Sequence, residues 1–223
     1  MLRASLLAAT ALFLGAASAS ASVITMDTRY STAGAQASAA AYRSLIDGLA
    51  AAPATAGYGS GSVNSFNSLS NRATFGGSNS NIAYRYTIDF GVTAAMAGNW
   101  DFRIGVDFGR GGAVFLDGTA IDMKTNDMWW AGSYANTTQS FQFTRSLGAG
   151  NHVLAVYGLE GCCDGAQQGQ FRAAGQSGFT TFSTTDGLNL LPGGIAAVPE
   201  PAALGLFAAG LLGLGLLRQR RAG

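Results

Sequence analysis

Ile82-Ala83-Tyr84-Arg85-Tyr86-Thr87-Ile88-Asp89-Phe90 is the stretch that decides the fold. Successive side chains of an extended chain point to opposite faces. Ile82, Tyr84, Tyr86, Ile88 and Phe90 therefore share one face, and Ala83, Arg85, Thr87 and Asp89 the other. That pattern predicts a strand with one side buried. Downstream, Trp100, Phe102, Ile104, Val106 and Phe108 alternate in the same way with Asp101, Arg103, Gly105 and Asp107. Residues 113–116 make a shorter strand, ended by the turn pair Asp117-Gly118. Phe141 and Phe143 mark another strand, and residues 179–185, rich in Thr and Phe, the last. Residues 153–159 are apolar without alternation, as in a central strand covered on both faces. Six or more strands with turn signals between them predict a mainly β chain, an antiparallel β-sandwich.

Around these strands lie less regular segments. Residues 33–52 are alanine-rich, with Tyr42, Leu45, Ile46 and Leu49 at helical spacing and Pro53 just beyond, so one N-terminal amphipathic helix is expected. Residues 55–81, rich in Gly, Ser and Asn, read as loop. Five parts follow: 1–21, the sandwich domain with its helix at 22–192, a linker at 193–201, an apolar segment at 202–217 and a basic end at 218–223.

Both ends read as targeting segments. Residues 1–21 have a positive start at Arg3, an apolar stretch at 6–14 and small-x-small sites at Ala17-Ser18-Ala19 and Ala19-Ser20-Ala21, which is a signal peptide for signal peptidase. The other end reads Val198-Pro199-Glu200-Pro201, then 16 apolar residues, then Arg218-Gln219-Arg220-Arg221. As a helix the apolar run reaches about 24 Å, a marginal span of a core about 30 Å thick. Its arginines belong on the cytoplasmic side, which leaves the main domain outside.

This order of Pro-Glu-Pro, apolar helix and basic end resembles the PEP-CTERM sorting signal. The resemblance implies that Pro199, Glu200, Pro201, Arg218, Arg220 and Arg221 form the sorting motif. It also implies an exosortase as processing partner, a precursor held in the inner membrane by a transmembrane sorting helix, and a final place at the cell surface or outside the cell. Members of that family often accompany exopolysaccharide production.

Composition narrows the function classes. The ends hold four of the 13 Lys and Arg residues and one of the 12 Asp and Glu residues, so the middle carries 9 and 11, a net charge near −2. So weak a charge offers no electrostatic attraction for nucleic acid. Charged residues are 11% of the chain, against roughly 25% in ordinary soluble domains. Gly, Ser, Thr and Asn carry the surface instead, as suits an extracellular β-protein.

Cys162 and Cys163 are the only cysteines, adjacent within Gly161-Cys162-Cys163-Asp164-Gly165. Export favours disulfides. Neighbouring side chains of a strand diverge, but this segment has turn chemistry on both sides. Adjacent Cα atoms lie about 3.8 Å apart and ordinary disulfides want about 4.4–6.8 Å, so a Cys162–Cys163 bond would be a strained, reducible ring. The alternatives are an intermolecular bridge and a metal site. Cys-Cys-Asp-Gly together with the sorting tail resembles the CCXG subset of PEP-CTERM proteins, a family defined by a motif rather than an activity.

A second resemblance lies between Gly98 and Glu160. Trp100-Asp101-Phe102-Arg103-Ile104-Gly105-Val106-Asp107 leads into Ala113-Val114-Phe115-Leu116-Asp117-Gly118, and later comes Gly148-Ala149-Gly150-Asn151-His152-Val153-Leu154. This is similar to the protective-antigen-type β-sandwich of bacterial toxins, glycosidases and adhesins. Some of those domains bind sugar through calcium held by paired acids. Here Phe108 follows Asp107 and breaks the pair, so Asp107 and Asp117 are the matching acidic positions, and calcium is the one cofactor the resemblance implies. Trp129 and Trp130 are the candidate sugar-stacking residues.

Catalytic signals are missing. There is no G-x-S-x-G elbow, H-E-x-x-H helix or P-loop. The single histidine, His152, sits at a turn–strand boundary, where a packed or solvent-bonded residue is the ordinary outcome. Asp101, Asp107, Asp117, Asp122 and Asp127 offer carboxylates, but nothing selects the pair that glycoside hydrolysis needs. The expectation is an exported surface or extracellular-matrix protein, a non-enzymatic structural component linked to exopolysaccharide. A carbohydrate-binding or adhesin module is the alternative, and a hydrolase comes third.

Overall fold

The computed structural model describes residues 22–192. The signal segment, the Pro-Glu-Pro motif, the apolar run and the three C-terminal arginines lie outside them. Among the described residues no helix is long and apolar enough to cross a membrane.

Ten strands and two short α-helices are described. The chain runs β1 (Val23–Tyr30), α1 (Ala39–Ala50), β2 (Ser60–Ser62), α2 (Asn71–Phe75), β3 (Ser80–Val92), β4 (Gly98–Gly105), β5 (Gly112–Leu116), β6 (Thr119–Lys124), β7 (Ser140–Leu147), β8 (Gly150–Cys162), β9 (Gln168–Arg172) and β10 (Thr180–Thr181). One sheet has the order β2-β1-β3-β8-β5-β6, the other β10-β9-β4-β7. Every pairing is antiparallel. The expected sandwich is therefore present.

The two sheets bury the predicted faces against each other. Tyr84, Tyr86, Ile88 and Phe90 of β3 meet Trp100, Phe102 and Ile104 of β4 in one core. Trp100 and Phe171 stack with centroids 5.4 Å apart, and Phe171 and Phe182 lie 4.8 Å apart. Each fully buried aromatic of this kind stabilises the fold by about 1.5–3 kcal/mol.

The outer face of the larger sheet is covered by α1. Ser38 caps this helix, its side chain accepting from the Ala41 N–H. Tyr42 and Ile46 pack on Ala83, Ala113, Phe115, Tyr157 and Leu159. Arg85 of β3 bonds Asp27 of β1 and Asp47 of α1, each at 2.9 Å, and ties helix to sheet. A second apolar layer explains why β8 does not alternate. Its odd residues face the helix and its even residues the other sheet.

Several elements differ from expectation. The helix starts at Ala39 rather than Ala33 because Ser38 supplies its cap. Residues 55–81 are not all loop: they hold β2 and α2, organised by Asn71, whose Nδ2 donates to the carbonyls of Gly57 (2.7 Å) and Ser78 (2.8 Å). Strands β1, β6 and β9 are additional to the expected ones. The expected strand at 179–185 shrinks to Thr180–Thr181, because Asp186 then bonds the Ser183 N–H and turns the chain. Asp117 and Gly118, with φ of 50° and 76°, form the expected tight turn, here joining β5 to β6.

Candidate functional site

Beyond Gly105 the chain leaves β4 but stays nearly extended. Phe108 makes a two-way backbone bridge with Met128, N–H to carbonyl at 3.0 and 3.2 Å. Both side chains are fully buried. Their neighbours Asp107, Gly109, Asp127 and Trp129 therefore face the other way, into a cleft of about 520 Å³ at one end of the sandwich. The end of β8 supplies the facing wall, with Glu160, Gly161, Cys162 and Cys163.

Glu160 continues the inward face of β8 beyond Gly158, whose missing side chain leaves room for the Phe108 ring. It is 2% exposed, and its carboxylate accepts from the N–H of Gly109 (2.5 Å) and of Cys162 (2.7 Å). Burial pushes its pKa up, and these N–H bonds oppose the shift. Asp107 accepts from the Gly165 N–H at 2.5 Å. Burial and then the nearby Glu160 charge push its carboxyl up to about 7. Arg110 supplies positive charge to the same cleft. Its guanidinium is anchored by the carbonyls of Ser31 and Ala33 and the side-chain oxygen of Asn81. Trp129 is 68% exposed on the cleft rim.

The structure separates residues that the sequence places side by side. Trp130 turns away from the cleft and lies flat on β4, where a Cβ at Gly105 would meet its ring at 2.2 Å. Its ring lies 5.5 Å from that of Tyr134, tilted by 45°, and Arg103 lies between Tyr134 and Phe179, 4.4 and 3.8 Å from their ring centroids. Trp129 alone of the tryptophan pair is free to meet a ligand in this cleft.

Asp107 and Asp117 are likewise parted. Asp117 sits at the far end of β5, where its carboxylate accepts from the Val153 N–H (2.9 Å) and contacts His152 Nδ1 (2.7 Å). These two aspartates cannot ligate one ion. Among the described residues no three His, Cys, Asp or Glu side chains are grouped to hold a metal. Asp107 instead shares its cleft with Glu160 and Asp127, neither of which the sequence singled out as a ligand.

Both nitrogens of His152 face acceptors, the second being the Gly148 carbonyl at 3.0 Å. Two acceptors favour the doubly protonated ring, and the Asp117 bond raises its pKa. Burial alone would raise Asp117, but the bonds from His152 and Val153 outweigh it and hold it low. A raised histidine stabilises the fold fully below its unfolded pKa of about 6.5, and that contribution is lost as pH rises through the folded value. A lowered aspartate acts above about 3.9 and is lost as pH falls through its folded value. The pair thus acts between about pH 4 and 6.5. His152 is the only histidine, so its ring resonance is a single clean probe. Its NMR midpoint lies above about 6.5 and falls in Asp117→Asn; an unchanged midpoint in the variant would remove Asp117 as the cause.

The two thiols complete the wall. Cys162 and Cys163 are exposed, with their sulfurs 2.7 Å apart. Cys163 has φ of 72°, in the left-handed region. Hydrogen bonding to Cys163, then the charges of Cys163, Glu160 and Asp107, push the Cys162 thiol up.

Residues 197–221 match the PEP-CTERM protein-sorting motif. No curated protein matches the chain. The fold is similar to that of the PA14 domain of the MpAFP antifreeze protein, at 11% identity and a TM-score of 0.50, over 80% of this chain and 93% of that one. Weaker likenesses link it to the PA14 sugar-binding domain of an RTX adhesin (12% identity, TM-score 0.45, 74% and 96% covered). The epithelial adhesin 9 A domain of Candida glabrata in complex with Galβ1-3GlcNAc is similar to the same degree (11%, 0.45, 76% and 89%). At 11% identity the first likeness speaks for a shared β-sandwich fold alone.

Proposed function

We propose that this chain is an exported surface protein, processed by an exosortase at its Pro-Glu-Pro tail, whose sandwich domain holds exopolysaccharide without turning it over. The matched sorting motif supports the export half. The binding half rests on one observation: an indole 68% exposed beside buried carboxylates and an anchored guanidinium. A sugar ring offers C–H groups on its faces and hydroxyls around its edge. Trp129 would cover a face while Asp107, Asp127 and Arg110 meet hydroxyls. Such a division of labour is usual for sites that combine one aromatic anchor with a few oriented polar groups. Glu160, held by backbone N–H groups, would position the wall rather than touch the sugar.

The test is calorimetric titration of the mature protein with the organism's own polysaccharide and with fragments from a glycan array. Trp129→Ala weakens binding by about tenfold, or 1.4 kcal/mol, without changing the fold, since the indole is exposed. Trp130→Phe leaves affinity as it was. Binding also strengthens as pH rises from 6 to 8. The charged Asp107 is the better acceptor, and its pKa near 7 means that protonation competes below that pH. Equal affinity for wild type and Trp129→Ala would move the site elsewhere.

A further inference from the structure

The turn that carries the two thiols also holds the cleft together. The Cys162 N–H donates to Glu160 at 2.7 Å, and the Gly165 N–H to Asp107 at 2.5 Å. Between them the Asp164 N–H donates to the Asn79 carbonyl at 3.0 Å, and the Asp164 carboxylate accepts from the Tyr84 hydroxyl. One short segment thus positions two of the carboxyl groups lining the cleft. Its thiols lie in the cleft wall itself, opposite the rim residue Trp129.

We infer that Cys162 and Cys163 are a reversible oxidation site for low-molecular-weight disulfides, and that closing the ring reshapes the cleft. Three observations carry this beyond the mere presence of two cysteines. Both thiols are exposed, so a small disulfide can reach either. Their sulfurs lie within 2.7 Å, so the second thiol is at hand when the first has reacted. Cys163 already occupies the left-handed region, which a non-glycine residue enters only when its surroundings hold it there.

The chemistry balances with one equivalent of a small disulfide RSSR. The thiolate of one cysteine attacks a sulfur of RSSR, forming a mixed disulfide and breaking the R–S–S–R bond. The leaving RS⁻ takes up a proton as RSH. The neighbouring thiol, losing its proton, then attacks the mixed disulfide at the cysteine sulfur and expels the second RSH. Two electrons pass from the cysteine sulfurs to RSSR, and the two thiol protons finish on two RSH. The negative surroundings of Cys162 disfavour its thiolate and slow the first step. The second step is intramolecular and needs no encounter. Ring closure across adjacent residues constrains the 162–163 peptide. The N–H groups of Cys162 and Gly165 then shift against Glu160 and Asp107, and the cleft shifts with them.

The test needs no sugar, so it stands apart from the carbohydrate reading. Reduced mature protein is treated with oxidised glutathione and followed by intact mass and by tryptophan emission. The expected product is a monomer two hydrogens lighter, restored by dithiothreitol. Its emission differs from that of the reduced form, and the difference vanishes in Trp129→Phe. Cys163→Ser, which cannot close the ring, keeps one glutathione. Stable glutathione adducts or covalent dimers of the wild type would overturn the ring. A ring that forms with unchanged emission would overturn the link to the cleft.

Discussion

Phe108→Asp abolishes cooperative folding of the domain. From sequence the change looks like a repair, because it restores an acidic pair after Asp107. In the structure Phe108 is fully buried, stacks 5.6 Å from Tyr84, and fills the space left by Gly158 and Gly112. Removing a buried phenylalanine costs about 3–5 kcal/mol. A carboxylate set in its place must stay unpaired or take up a proton, at a further cost of several kcal/mol. The sum is comparable with the whole stability of an ordinary domain, about 5–15 kcal/mol. Loss of near-UV circular dichroism and of a cooperative melt is the expected result. Phe108→Leu keeps the apolar volume in part, and lowers Tm by several degrees without loss of fold. A folded Phe108→Asp protein that binds calcium would show that this position faces the cleft and that the acidic pair governs the site.

Replacing Pro199, Glu200 and Pro201 together by alanine leaves the protein in the membrane at precursor size. Residues 199–201 lie inside the matched sorting motif, and three alanines remove both prolines, which fix φ and lack an N–H, together with the acid between them. Under the proposed processing, the exosortase no longer recognises its motif. Immunoblotting of membrane and secreted fractions reads the outcome, and mature-sized secreted protein from the variant would sink the sorting mechanism. A truncation lacking residues 202–223 releases the domain without any processing, which separates anchoring from cleavage.

Strands β3, β4, β5 and β8 were legible because each carries its own pattern. Alternation needs only the residues of one strand, and the loss of alternation in β8 reports cover on both sides. Strand β1 has the pattern as well, with Ile24, Met26 and Thr28 inward, but its alternation includes a threonine and an aspartate and is short of large residues, so it is the fainter signal. Strand β9 reads Gln-Gly-Gln-Phe-Arg, with one large apolar residue, so it owes its extended form to pairing with β4. Asp107 was visible as a candidate. Glu160 was not, since an acid at the end of an apolar run looks like a solvated strand end; it lies on the inward face of β8, and the Gly109 and Cys162 N–H groups that make its burial tolerable come from outside its own pattern.

The sequence by itself determined strands β3, β4, β5, β7 and β8, the buried faces of β3 and β4, the helix α1 and the sorting motif at the tail. These are local properties: a period of two, a period near 3.6, an ordered run of residue types. Tertiary structure alone decided the cleft. Gly109 and Glu160, which bond across it, are 51 residues apart, and Asp107 and Gly165 are 58. Which acids meet depends on sheet order and register. A strand reverses its facing with every residue and places its two ends a strand length apart. Asp107 and Asp117, ten positions apart in the chain, therefore lie at opposite ends of β5, and Trp129 and Trp130, with no residue between them, part, one to the cleft rim and the other onto β4.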